Sequence, residues 1–318
     1  MANLADQVQR SLLTFRDNCV DFCHHPSVAE ITKIPSPLQF YREFVSANRP
    51  VIIRGAITHW QSVSKWTPSY LRQKAGNLPV TVAVTPDGYA DNVKGHLFLL
   101  PEERRMLFGE FLDIMEGKVT RNGIFYIQKQ NSNFTDEFHL LRDDSGDMTW
   151  ATDAFGREPD AVNFWMGDGR AVTSMHRDHY ENIYCVVSGQ KEFTLLPPTD
   201  LPWIPYQEFR TATYCENQET GIFNIELGDT KVPWIPLDAD NPDYERYPGY
   251  RYASVTKCTI EAGDLLYLPS LWFHHVKQSH SCIAINYWYD MEFDLKYCYY
   301  KLLESVKALR DSADVDNE

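Results

Sequence analysis

Two separated stretches of this 318-residue chain carry side chains whose types and spacing suit metal chemistry. The first runs Thr173-Ser174-Met175-His176-Arg177-Asp178-His179-Tyr180-Glu181-Asn182. Residues two apart on an extended strand share a face, so His176 and Asp178 would present an imidazole and a carboxylate side by side. With one further imidazole they make the two-histidine, one-carboxylate set of non-haem Fe(II) oxygenases. That set leaves positions open for a bidentate 2-oxo acid and for oxygen. The second stretch, 261–276, reads as a turn, a strand, a break at Pro269, two aromatics and then His274-His275. Pro269 disrupts the alternation, so periodicity leaves open which of these histidines faces a metal. A kinase reading of His176-Arg177-Asp178 fails, because the asparagine falls one position short and no glycine-rich loop precedes it. Cys19, Cys23, His24 and His25 lack the second ligand pair that a zinc site needs.

The elements that must position these groups are β-strands. From about Pro159 the texture is all-β, with short runs at 161–165, 183–187, 192–196, 255–260, 264–268 and 282–289 rich in β-branched and aromatic residues. Ser188-Gly189-Gln190 is a tight turn between two of them. Such spacing predicts a sandwich or small barrel. A long proline-rich insertion, about 199–252, carries Pro-Trp-Ile-Pro twice and reads as a surface loop or a lid facing substrate. Upstream the chain reads as helix-rich. Leu4, Val8, Leu12, Phe15, Cys19 and Phe22 make one amphipathic face, and Ser36-Pro37-Leu38-Gln39 and Thr67-Pro68 are helix starts. Another helix, 107–115, stops at Gly117, and strands at 51–53, 80–84 and 124–128 are interleaved. After Asp294 a helical stripe returns through Leu295, Tyr299, Leu302, Leu303, Val306 and Leu309, and the tail from Asp311 reads as frayed.

The runs 173–193 and 262–289, with 82–91 and 160–165, resemble the JmjC class of Fe(II)/2-oxoglutarate oxygenases, and in particular its small protein-hydroxylase branch. The likeness extends over about 37–303. It implies a mainly β fold with helical flanks: a double-stranded β-helix (a jelly-roll or cupin-like barrel) at 126–294. A helix-rich region, 1–125, would pack on that barrel, and 295–318 would be a C-terminal helix and tail. The family pattern of a proline, two variable positions, two aromatics and the distal ligand implies His274 rather than His275, beside His176 and Asp178. It implies Lys191 as the partner of the distal carboxylate of 2-oxoglutarate, with hydroxyls from Thr173 and Tyr126. Asn182 and Asn286 would line the cofactor and oxygen side. Trp288 would lie by the substrate opening, with Asp290 and Glu292 as acids for a substrate ammonium.

The implied activity is Fe(II)-, 2-oxoglutarate- and O2-dependent (3S)-lysyl hydroxylation of a protein, coupled to decarboxylation of 2-oxoglutarate to succinate. The implied substrate is a GTPase of the developmentally regulated GTP-binding type. Two alternatives are lysine demethylation and endopeptidase action on methylated histone tails. The chain carries no chromatin-reading module, zinc finger or basic stripe, which favours hydroxylation over demethylation. No HExxH segment and no nucleophile with its base supports proteolysis. The resemblance also implies a homodimer through the C-terminal helix, with packing of that helix on its own barrel as the competing reading.

Composition sets the outer limits. Lys+Arg 30 against Asp+Glu 44 gives a formal net charge of −14, which argues against direct nucleic-acid binding and suits a basic protein partner. No apolar run approaches a membrane span, and the first residues do not resemble a secretory signal. Seven cysteines without a CxxC pair fit a reduced compartment. The expected location is the cytoplasm, with the nucleus as a second site.

Overall fold

Strands rich in β-branched and aromatic residues fit a pleated, half-buried surface, and here they assemble into two facing sheets. The computed structural model describes residues 4–315. Its nine-stranded sheet runs, in spatial order, Ala29–Ile31, Val51–Ile53, Leu265–Leu268, Tyr180–Ser188, Cys282–Asp290, Ala161–Gly167, Ile124–Ile127, Pro79–Thr85 and Glu102–Leu107. The facing five-stranded sheet runs Thr256–Glu261, Gln190–Leu196, Phe273–Gln278, Val172–His176 and Tyr89–Ala90. Between them lies a core that includes Tyr126, Tyr184, Phe193, Leu195 and Leu266. This is the double-stranded β-helix, with the C-terminal helix Leu295–Val315 outside it.

The far face of the large sheet builds a second core, where Phe40, Phe108, Phe138, Phe164 and Tyr289 pack with the N-terminal helices. Those helices begin where capping chemistry requires. The Ser36 hydroxyl accepts from the Gln39 amide N–H at 3.3 Å, and that of Thr67 from Tyr70 N–H at 3.3 Å. The Gln39 side chain bonds onward to Glu43 at 3.1 Å instead of reaching back to the cap. The N-terminal region is more than a helical cover, because its strands extend the large sheet at both edges. In the first helix Leu12 and Cys19 are buried, while Phe22 at its end is 82% exposed; the Leu4 side chain lies outside the described residues.

The insertion is not a loop. Gln207–Glu216 and Phe223–Trp234 pair antiparallel, and with Leu97–Leu100 and Asn92–Lys94 they form a four-stranded sheet beside the barrel. Much of the second strand is solvent-exposed, so it lacks the apolar density by which barrel strands announce themselves. The C-terminal helix continues past Asp311 to Val315, beyond the point where fraying was expected; residues 316–318 lie outside the described residues.

Glu181 fastens the turn that delivers the second ligand-bearing strand. Its buried carboxylate accepts from Tyr267 Oη (2.6 Å), Ser270 N–H (3.2 Å) and Ser270 Oγ (2.8 Å). Glu181→Ala orphans these donors in a water-poor place and is expected to cost about 3 kcal/mol. The check is a fall in the denaturant midpoint without a change in slope.

Candidate metal centre

Strands Val172–His176 and Phe273–Gln278 pair antiparallel with His176 opposite His274. The register slips between Thr173 and His176. Such a bulge re-aims side chains, and Thr173 and His176, an odd number of residues apart, both line one cavity of about 700 Å³. Asp178 lies just beyond the strand. Its backbone carbonyl accepts from Leu271 N–H at 2.9 Å, tying together the two segments that carry the ligands.

Three side chains converge. Asp178 Oδ2 lies 3.8 Å from His176 Nε2 and 3.6 Å from His274 Nε2, and the two imidazole rings are 4.2 Å apart. Donor separations of this size bracket one ion with bonds of about 2 Å. Both rings are oriented by backbone: His176 Nδ1–H donates to Ser174 O at 2.8 Å, and His274 Nδ1–H to Trp272 O at 3.0 Å. That fixes the tautomer and frees each Nε2 lone pair for the metal. His275 points away, toward Asp238 and Asp240. Trp234, from the insertion, lies nearly parallel to the His176 ring (6.1 Å, 6°) and donates to Ser174 Oγ at 3.1 Å.

Further along the five-stranded sheet is Lys191, only 1% exposed. Its ammonium donates to Tyr126 Oη at 2.9 Å and to Gln278 Oε1 at 2.5 Å, and no carboxylate among the described residues pairs with it. Burial opposes its charge, but the Tyr126 and Tyr184 oxygens hold its pKa above the ordinary lysine value.

Residues 37–295 match the cupin-like domain family. The chain is 50% identical over 310 residues to the human bifunctional peptidase and (3S)-lysyl hydroxylase JMJD7, covering 96% of this chain and 98% of that protein. It is 40% identical to lysine-specific demethylase JMJ32 of Arabidopsis thaliana (86% of this chain, 84% of the relative). It is also 38% identical to JmjC domain-containing protein E of Dictyostelium discoideum, over 90% of each chain. The chain belongs to the cupin-like JmjC family.

JmjC oxygenases use Fe(II), 2-oxoglutarate and O2, and the residues present fit all of them. Two neutral imidazoles and a carboxylate suit Fe(II). An uncompensated buried ammonium is unfavourable until an anion joins it, and a dicarboxylate supplies one. Lys191 sits opposite Gln278, four residues along the strand from Leu195, the partner of His274. At roughly 3.3 Å per residue, that gap suits a lysine side chain plus a five-carbon diacid.

Burial also keeps His274 neutral, with its pKa pushed down to about 4, helped by the neighbouring His176. The unfolded chain therefore binds the extra proton between about 6.5 and 4, so the contribution of His274 to the stability of the metal-free protein is lost as pH drops through that window and is level above it. His274→Gln should remove about 3 kcal/mol of this dependence, seen by comparing unfolding midpoints of the two metal-free proteins at pH 4 and pH 7.

The remaining expectations divide. Asn286 Nδ2 donates to Asn182 Oδ1 at 3.1 Å, and Trp165 Nε1 donates to Asn286 Oδ1 at 2.8 Å, so the two asparagines form a linked pair inside the barrel. Trp288 is buried and stacks on Tyr180 (5.1 Å, 5°), outside the residues that line the cavity. Asp290 and Glu292 are exposed and also lie outside the lining, and Glu292 pairs with Arg157. Polar strand ends gave no guide to depth. Besides Asp178, the acids that face the cavity are Asp91 and Glu103, which carried no motif; nor did Trp234 on its wall, Gln278 beside Lys191 or Glu181 under the turn.

Proposed function

We propose that this chain is an Fe(II)- and 2-oxoglutarate-dependent protein hydroxylase that oxidises the β-carbon of a lysine, giving the (3S) product. The observation that carries the reading is the paired site: a converged His176–Asp178–His274 triad with a buried, uncompensated Lys191 on the same sheet. The (3S)-lysyl hydroxylase activity of the human relative supplies the substrate class. When bound, Fe(II) and 2-oxoglutarate supply the O2 activation and C–H oxidation, for which the protein contributes binding and orientation. Ser174 O and Trp272 O keep the imidazoles aimed. Lys191 and Tyr126 hold the distal carboxylate of 2-oxoglutarate, a charge-assisted contact that is strong because water is excluded. Trp234 closes one side of the His176 ring.

The test is mass spectrometry of a lysyl protein or peptide after turnover. Gain and retention of one oxygen on a lysine supports hydroxylation. Loss of a methyl group from methyl-lysine with release of formaldehyde supports the demethylase reading that the Arabidopsis relative favours, and fragment masses would reveal cleavage. Within the hydroxylase reading, a GTPase of the developmentally regulated GTP-binding type is the proposed partner, and the chain's −14 net charge suits a basic region around the modified lysine.

Two copies are proposed to pair through the C-terminal helix, whose Leu295, Tyr299, Leu302 and Leu309 are each more than half exposed and continue a patch from Phe293. Leu302→Glu is expected to halve the mass seen by light scattering. An unchanged mass would remove this face from the interface.

A further inference from the structure

We propose that Asp91 receives the cationic end of the substrate side chain and thereby selects lysine over uncharged side chains; the inference rests on the lysyl-hydroxylase reading above. Asp91 lines the same cavity as His176 and Asp178. Its Oδ2 accepts from Gln128 Nε2 at 3.3 Å, and no cation among the described residues pairs with it. The cations nearby are engaged elsewhere. Lys129 lies 3.9 Å from Glu103, while Arg177 is 3.1 Å from Glu304 and stacks over Tyr300. Burial drives the Asp91 pKa upward, with His176 opposing. A partly buried carboxylate without a counter-charge carries a desolvation cost, and an arriving ammonium would offset it.

The backbone supports the same assignment. Asp91 joins strands Tyr89–Ala90 and Asn92–Lys94 with φ +53°, a left-handed conformation that aspartate and asparagine adopt more readily than other non-glycine residues. Its carbonyl accepts from Ser174 Oγ at 2.6 Å, and Ser174 O holds the His176 ring. The hydrogen bond that links the acid to the metal-bearing strand thus sets it at a defined place relative to the triad. Lysine chemistry matches. Oxidation at Cβ leaves three methylenes and an ammonium to be accommodated beyond the reacting carbon. Phe98, Leu100 and Pro101 offer the cavity's apolar wall for the methylenes, and Asp91 with Gln128 offers the polar terminus.

Asp91→Asn isolates the charge, because asparagine tolerates the same left-handed backbone and keeps a partner for Gln128. The probe is a lysyl peptide chosen by wild-type turnover of a degenerate peptide library, beside the same peptide with norleucine at the modified position. Wild type should favour lysine by about a hundredfold in kcat/KM, as expected for a buried charge pair. Asp91→Asn should bring the ratio below about fivefold, chiefly through KM for lysine, and Asp91→Glu should restore part of it. A purely structural role would lower both peptides alike. A lysine preference intact in Asp91→Asn, or equal losses on both peptides, overturns the assignment while leaving the hydroxylase reading in place. A wild type that modifies no lysine defeats the parent reading, and this one with it.

Discussion

His176→Ala is expected to abolish turnover, with a loss well beyond the roughly hundredfold ceiling typical of groups that only orient a metal ligand. The imidazole is one of three protein donors converging on one point, and its neighbours cannot substitute. Trp234 stacks on its ring, and its indole offers no donor atom to a metal. The instructive contrast is His275→Ala. That imidazole adjoins His274 in sequence but turns toward Asp238 and Asp240 on the other face of the strand. It should retain iron binding and 2-oxoglutarate turnover at near the wild-type level once folded. Equal losses in the two variants, measured as succinate released per minute, would contradict the assignment of His274 as the distal ligand.

Lys191→Met has the second large effect, and its two readouts move independently. Deleting one partner of a buried pair costs about 3–5 kcal/mol, so the Kd for 2-oxoglutarate should rise by about two to four orders of magnitude. The unliganded protein should lose only about 1–3 kcal/mol, the cost of leaving the Tyr126 Oη and Gln278 Oε1 acceptors without their donor, since methionine keeps much of the volume. Isothermal titration and a thermal melt check both. A large loss of Tm together with unaltered affinity would make Lys191 a structural residue.

The parts of this site that were legible in the sequence are those whose chemistry is local. His176 and Asp178 stand two apart on one strand, so their shared face followed from the pleat. The choice between His274 and His275 did not, because Pro269 and the left-handed Leu271 (φ +66°) break the alternation before the strand begins; the family pattern was needed. Lys191 came with that pattern too, whereas its partner Gln278 lies across the sheet and carries no signal of its own. Barrel strands such as Leu265–Leu268 and Cys282–Asp290 were readable because both their faces are buried. The hairpin inside the insertion was not, since solvent-facing side chains dilute its apolar pattern. The duplicated Pro-Trp-Ile-Pro shows the limit of motif reading: the second copy sets Trp234 over His176, and the first sets Trp203 against Tyr252 in a separate region. Asp290 and Glu292 were read as acids for an ammonium from their position along the chain; the fold leaves both exposed and outside the cavity lining, and that depth is a property of the folded surface.

Metal-free protein titrated anaerobically with Fe(II) in the presence of 2-oxoglutarate, followed by the visible charge-transfer band of the chelated metal, tests the centre most directly. The band should saturate at one iron per chain, vanish in Asp178→Ala, require far more 2-oxoglutarate in Lys191→Met and persist in His275→Ala. A band that survives Asp178→Ala, or one that never forms in the wild type, would contradict the assignment of this site.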